Sequence, residues 1–200
     1  MSDFTSFVPK ASIPTIKKWL DQLDVRIYIS KSRVTKLGDF KVINNEYAIS
    51  INKDLNKYSF LITLTHELAH AFVYDKYKNS VKPHGMEWKS MFKSMMLNFM
   101  NLDCFTDNIL KVLSEHMLKI KASTYSDLNL ALCLRKYDCH RKDVLQDLEE
   151  NQFFRIKNNR IFCKKRKLRK RYKCIEKNTG KIYLQIYFSS IFFYTFISLS

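Results

Sequence analysis

Tyr58-Ser59-Phe60-Leu61-Ile62-Thr63-Leu64-Thr65-His66-Glu67-Leu68-Ala69-His70-Ala71-Phe72-Val73-Tyr74-Asp75-Lys76-Tyr77 is the stretch that decides how this chain is read. It contains no Gly or Pro, and Phe60, Leu61, Ile62, Leu64, Leu68, Ala69, Phe72 and Val73 recur at near-helical spacing. The pattern predicts a helix from about Tyr58 to Tyr77, mostly buried. On a helix, side chains four apart lie on one face, so His66 and His70 aim two imidazoles at a common point. That is zinc-ligand spacing, and Glu67, one residue round, is placed to reach a water rather than the ion. The competing reading of the same letters is a buried amphipathic helix whose histidines are structurally satisfied.

A catalytic zinc takes three protein ligands and leaves one position to water, so a third donor must come from elsewhere in the chain. His84 is the candidate. It stands between Pro83 and Gly85, a stiff-then-permissive turn able to bring the chain back towards the His66/His70 face. Glu87 to Met100 then reads as a second helix with Trp88, Met91, Phe92, Met95 and Met96 on its apolar stripe. Packing of Trp88 is expected to fix the turn that carries His84.

Working outward, Ser12 with Pro14 opens a helix through Leu23, while Val25 to Ser30 and Phe40 to Ile51 read as strands from their β-branched and aromatic content. Gly38 with Asp39 is the expected turn between them. Asp107 is expected to cap a helix through Lys119, with His116 on its surface rather than acting as a fourth ligand. Residues 121 to 150 give no firm pattern and are read as a connector.

Composition permits one good core and a small appendage: 200 residues, 46% hydrophobic and 14% aromatic, which excludes a disordered chain. The five cysteines are odd in number and scattered, and Met1-Ser2-Asp3-Phe4 opens no secretory signal, so the expected location is cytoplasmic. Charge is uneven. Residues 155 to 181 hold 13 Lys+Arg against the single acid Glu176, a net +12 of the chain's +16. Lys164, Lys165, Arg166, Lys167, Arg169, Lys170 and Arg171 form its densest part and are the candidate nucleic-acid contacts, since such a run repels itself unless an anionic partner or solvent screens it. Flanking Phe153, Phe154, Phe162, Tyr172 and Tyr183, with turn signals at Asn158-Asn159 and Asn178-Thr179-Gly180, predict a basic β-module over residues 151–183. Residues 184–200 are an uncharged hydrophobic tail. A strand added to the β-module explains its beginning, and a membrane anchor is the weaker rival because Gln185, Ser189, Ser190 and Thr195 dilute it.

The run Leu64-Thr65-His66-Glu67-Leu68-Ala69-His70, followed by His84-Gly85-Met86-Glu87-Trp88-Lys89, resembles the SprT-like, Spartan-related family of zinc metallopeptidases. That resemblance implies an α+β, zincin-like metallopeptidase domain, a short sheet plus active-site helix, over residues 1–120. It further implies one catalytic Zn2+ held by His66, His70 and His84, with Glu67 as the base, a protein substrate, and cleavage of DNA-associated proteins. The longer metzincin pattern is excluded, because Val73 stands where it needs Gly. Family members often end in a zinc ribbon with two C-x-x-C pairs. Here Tyr172-Lys173-Cys174-Ile175-Glu176-Lys177 looks like a second knuckle with Lys177 in place of a cysteine, and Cys139-His140 like a remnant of the first. The expectation is a degenerate ribbon, a hairpin held by its aromatics without metal. The rival from another class is a DNA-binding adaptor whose metal helix is only structural.

Overall fold

The computed structural model describes residues 3–33, 36–120, 127–139, 145–156, 159–169 and 171–186. The chain is a mixture of helices and two small sheets, divided into two compact units, Met1–Cys139 and His140–Ser200.

After two short 3-10 turns, Thr5–Phe7 and Lys10–Ser12, the first unit runs through helix α1 (Ile13–Leu23), then β1 (Val25–Ser30), β2 (Gly38–Ile43) and β3 (Glu46–Asn52). The strands form a sheet in the order β1-β3-β2, with β1 parallel and β2 antiparallel to β3. Two sequence expectations need correction here. Phe40 to Ile51 is a hairpin rather than one strand, and Gly38 and Asp39 begin β2 rather than making a turn. Asn44 (φ 50°) and Asn45 (φ 64°) supply the turn, both in the left-handed region that a two-residue hairpin with the right twist requires. One face of the sheet is apolar: Val25, Ile27, Ile49 and Ile51 are all buried.

Helix α2 (Lys57–Tyr77) packs on that sheet, and α3 (Met86–Leu97) packs on α2. The start of α2 is fixed by Asn56, whose side-chain oxygen accepts from the Tyr58 and Ser59 amides while its Nδ2 donates to Leu134 O and Asp138 Oδ1. A cap of this kind stabilises a helix by about 1 kcal/mol, and this one also ties the helix to a distant segment. Phe60, Leu61, Ile62, Leu64 and Leu68 have no exposed surface, and each contributes about 1.5–3 kcal/mol through burial. The helix is therefore held nearly all round, which fixes the direction of its histidine face.

Helix α4 (Asp107–Leu118) has Thr106 at its cap position, with Asp107 in the first turn instead. Its His116 is 2% exposed, not on the surface as expected, with Nδ1 3.0 Å from Asp127 Oδ2. Helix α5 (Leu128–Arg135) lies in the expected connector and packs on α4, so the first unit extends through Cys139.

In the second unit β4 (Phe153–Arg155), β5 (Ile161–Lys167), β6 (Arg171–Glu176) and β7 (Ile182–Ile186) form an antiparallel meander. Phe154 stacks on Phe162 at 5.6 Å, Phe162 meets Tyr183 edge-on at 5.3 Å, and Tyr172 and Cys174 are buried. Left-handed Asn159 (φ 63°) and Gly180 (φ 66°) make turns near the expected positions. The start of the hydrophobic tail is strand β7, and residues 187–200 lie outside the described residues, as do Lys170 and His140. Among the described residues no helix is long and apolar enough to cross a membrane.

Candidate metal centre

His66 and His70 stand one helical turn apart on α2, as their spacing dictates, and His84 reaches them from the turn before α3. The three Nε2 atoms form a nearly equilateral triangle: 3.2 Å from His66 to His70, 3.0 Å from His70 to His84 and 3.1 Å from His84 to His66. Three nitrogens on a tetrahedral zinc, each at about 2.0–2.1 Å, stand about 3.3–3.4 Å apart, so this triangle fits the ion with only small adjustment. Among the described residues, this is the group of donors close enough together to hold a metal.

The electrostatics agree with the geometry. Burial pushes His66 down to about 3, reinforced by His70, His84 and His116, and pushes His70 down to about 4, reinforced by His84. His84 is also lowered, first by burial and then by Lys89. All three are therefore neutral at pH 7 and able to offer a lone pair. With the proton on Nδ1 of each ring, three Nε2 lone pairs converge at about 3 Å and repel one another unless a cation lies among them.

Trp88 organises the triad. Its ring lies 4.5 Å from His66, 5.3 Å from His70 and 4.7 Å from His84 by centroid, and it stacks on Phe92 at 5.1 Å with an interplanar angle of 10°. Its Nε1 donates to His66 O at 3.4 Å. With Trp88 at 1% exposure, the indole is a fixed wall behind the imidazoles. The turn differs from its expected form. His84 itself takes the left-handed conformation (φ 58°), whereas Gly85 is extended, and a Cβ on Gly85 would stand 2.9 Å from Lys82 O. Glycine is needed here for close approach, while His84, the candidate donor, carries the unusual backbone.

Glu67 is 8% exposed and points towards β2, away from the solvent. Burial pushes its carboxyl up to about 7, with the Phe40 backbone amide acting in the opposite direction and Asp39 in the same one. A group poised near neutrality on the residue next to a candidate metal donor can both accept and return a proton. Gly38 and Phe40, which shape this environment, had no signal in the sequence beyond the glycine itself. His116 influences His66 but does not join the donor group.

The basic residues of the second unit separate into two kinds. Lys164, expected among the phosphate contacts, is 5% exposed: its ammonium donates to Leu148 O and lies 4.1 Å from the Tyr172 ring centroid. Arg166, Lys167, Arg169 and Arg171 lie around the β5–β6 connection near the surface, with Lys165 half-buried and bonded to Asn151 Oδ1. Cys163 and Cys174 are both buried free thiols, and burial pushes Cys174 up to about 12.

The model of the SprT-like family matches residues 14–107, a span that contains α2, the His84 turn and α3. No curated protein and no solved structure matches the chain.

Proposed function

We propose, from the match of residues 14–107 to the SprT-like family model, that the chain is a zinc-dependent metallopeptidase of zincin-like build, cleaving peptide bonds in proteins associated with DNA. The observation that carries this reading is the convergence of three neutral imidazoles, two of them on the helix that also carries the buried carboxyl of Glu67. A zinc ion held by His66, His70 and His84 would polarise the scissile carbonyl and acidify the attacking water. Glu67 takes the proton of that water and returns it to the departing amine. Trp88 holds the imidazoles in one orientation, so their lone pairs stay aimed at a single point.

The rival reading, an adaptor with a structural metal, calls for a closed site with four protein donors. Among the described residues the donors number three, which favours an open position and catalysis. The test is cleavage of an unfolded casein and of a DNA-bound protein by the zinc-loaded chain. Activity abolished by a chelator and restored by zinc supports the peptidase. A chain that holds zinc yet cleaves neither substrate, with or without DNA, would favour the adaptor.

The nucleic-acid part of the proposal rests on Lys165, Arg166, Lys167, Arg169 and Arg171, together with Lys170 by sequence. If they meet phosphates, affinity for DNA is sequence-tolerant and falls steeply with salt through counterion release. Neutralising Lys165, Arg166, Arg169 and Arg171 should flatten the salt dependence by about one unit of slope per lost phosphate contact. Unchanged binding would remove this role and leave the peptidase reading intact.

A further inference from the structure

Strand β2 lies against α2 at a point where no side chain fits. A Cβ on Gly38 would stand 2.8 Å from Glu67 Cγ, 2.8 Å from Glu67 Oε1 and 2.8 Å from Thr63 Cγ2. Non-bonded carbons prefer about 3.5–4.0 Å, so one of these groups would have to move. Thr63 is poorly placed to do so: it is 6% exposed, and its hydroxyl donates to Ser59 O at 2.7 Å. The Glu67 side chain is the longer and more flexible of the two. Two residues along the same strand, the Phe40 backbone amide faces the Glu67 carboxylate. Strand β2 is the edge of its sheet, so amides on its outer side have no strand partner and are available to a side chain.

We propose that Gly38 is a positioning residue for catalysis: its missing side chain lets the edge strand close on Glu67, the residue next to His66, confining its carboxylate to one orientation. This deepens the peptidase reading and rests on Glu67 being the proton acceptor. The glycine touches neither substrate nor metal, and its whole effect passes through one neighbouring side chain. Its backbone has no positive φ that would demand glycine, so close approach is the reason that remains.

The test is Gly38→Ala, assayed on unfolded casein with the zinc-loaded full chain. Displacing a catalytic group by about 1 Å costs on the order of a hundredfold, so kcat should fall between about tenfold and a hundredfold while KM stays within about twofold. Zinc content should be unchanged. A double-mutant cycle separates positioning from general damage: in a Glu67→Gln background, Gly38→Ala should add no further loss, because the group through which it acts is already disabled. A kcat within about twofold of wild type overturns the proposal. So does a loss that follows loss of zinc, or one that adds fully to Glu67→Gln. If Gly38→Ala does not fold, Gly38→Ala combined with Glu67→Ala decides. Recovery of a folded, zinc-binding protein assigns the collision to Glu67, and a double variant that is also unfolded overturns the proposal. Failure of the peptidase reading itself looks different, since wild type would then be inactive and Glu67→Gln indistinguishable from it.

Discussion

His84 combines a proposed ligand role with an unusual backbone, and the two can be separated by substitution. A left-handed φ of 58° disfavours a residue with a Cβ by about 1–2 kcal/mol, yet Asn tolerates it well. His84→Asn should therefore leave the metal-free protein melting within about 2 °C of wild type while zinc affinity falls by more than about tenfold. Metal analysis after dialysis, with calorimetry of the metal-free forms, measures both. Zinc retained at full occupancy would remove His84 from the ligand set. At this scale the sequence was informative wherever the signal is local. His66, Glu67 and His70 declare their shared helix by spacing, and His84 by the turn and the Trp88 that follows it. Gly38 and His116 were opaque because their roles depend on what lies against them. The first meets Glu67 from a different element, far along the chain, and the second is buried beside Asp127.

Among the elements, those with strong periodicity and clear punctuation were legible. Val25–Ser30 has the expected bounds, and α2 begins one residue before the expected Tyr58. The β2–β3 hairpin was not, because the β-branched and aromatic residues on either side outweighed the polar pair between them. Asn44-Asn45 carried the turn signal, and its meaning lies in backbone conformation rather than hydropathy. Substitution at Asn45 should expose this directly. Asn45→Gly relieves the left-handed strain at φ 64° and should hold or raise stability by a few tenths of a kcal/mol. Asn45→Val forces a β-branched side chain into that region and should lower it by about 1–2 kcal/mol. Denaturant unfolding of the two variants gives the comparison, and equal stabilities would argue against a left-handed turn here. Because β2 borders Glu67, the Val variant should also lose activity faster than zinc on warming.

On the scale of the whole molecule, +12 of the +16 lies in 27 residues that fall within the second unit, but charge alone could not show which cations fold inward. Lys164 belongs to the same run as Arg166 and Arg169 and is nevertheless buried, next to an irregularity between Lys164 and Lys167 that shifts the β5–β6 register. The lone acid of that run ties the sheet together. Glu176 accepts from Arg160 Nε at 2.6 Å and from the Thr179 hydroxyl, contacts that hold its carboxyl down at about 2. A carboxyl lowered on folding contributes stability that is present above its ordinary value of 4.5 and is lost as pH falls from there towards 2. Unfolding of the second unit should therefore show an acid-dependent step in that window, and Glu176→Gln should abolish it; a variant with the wild-type acid profile would contradict this assignment. The proposed chemistry lies in the first unit, and one measurement tests it most directly: zinc content and casein cleavage determined together on Glu67→Gln. The amide is nearly the same size and removes no ligand, but it cannot take the proton of the attacking water. The account predicts one zinc per chain, a wild-type melting curve and a rate lower by about a hundredfold or more. A Glu67→Gln protein that holds its zinc and cleaves at the wild-type rate would contradict it.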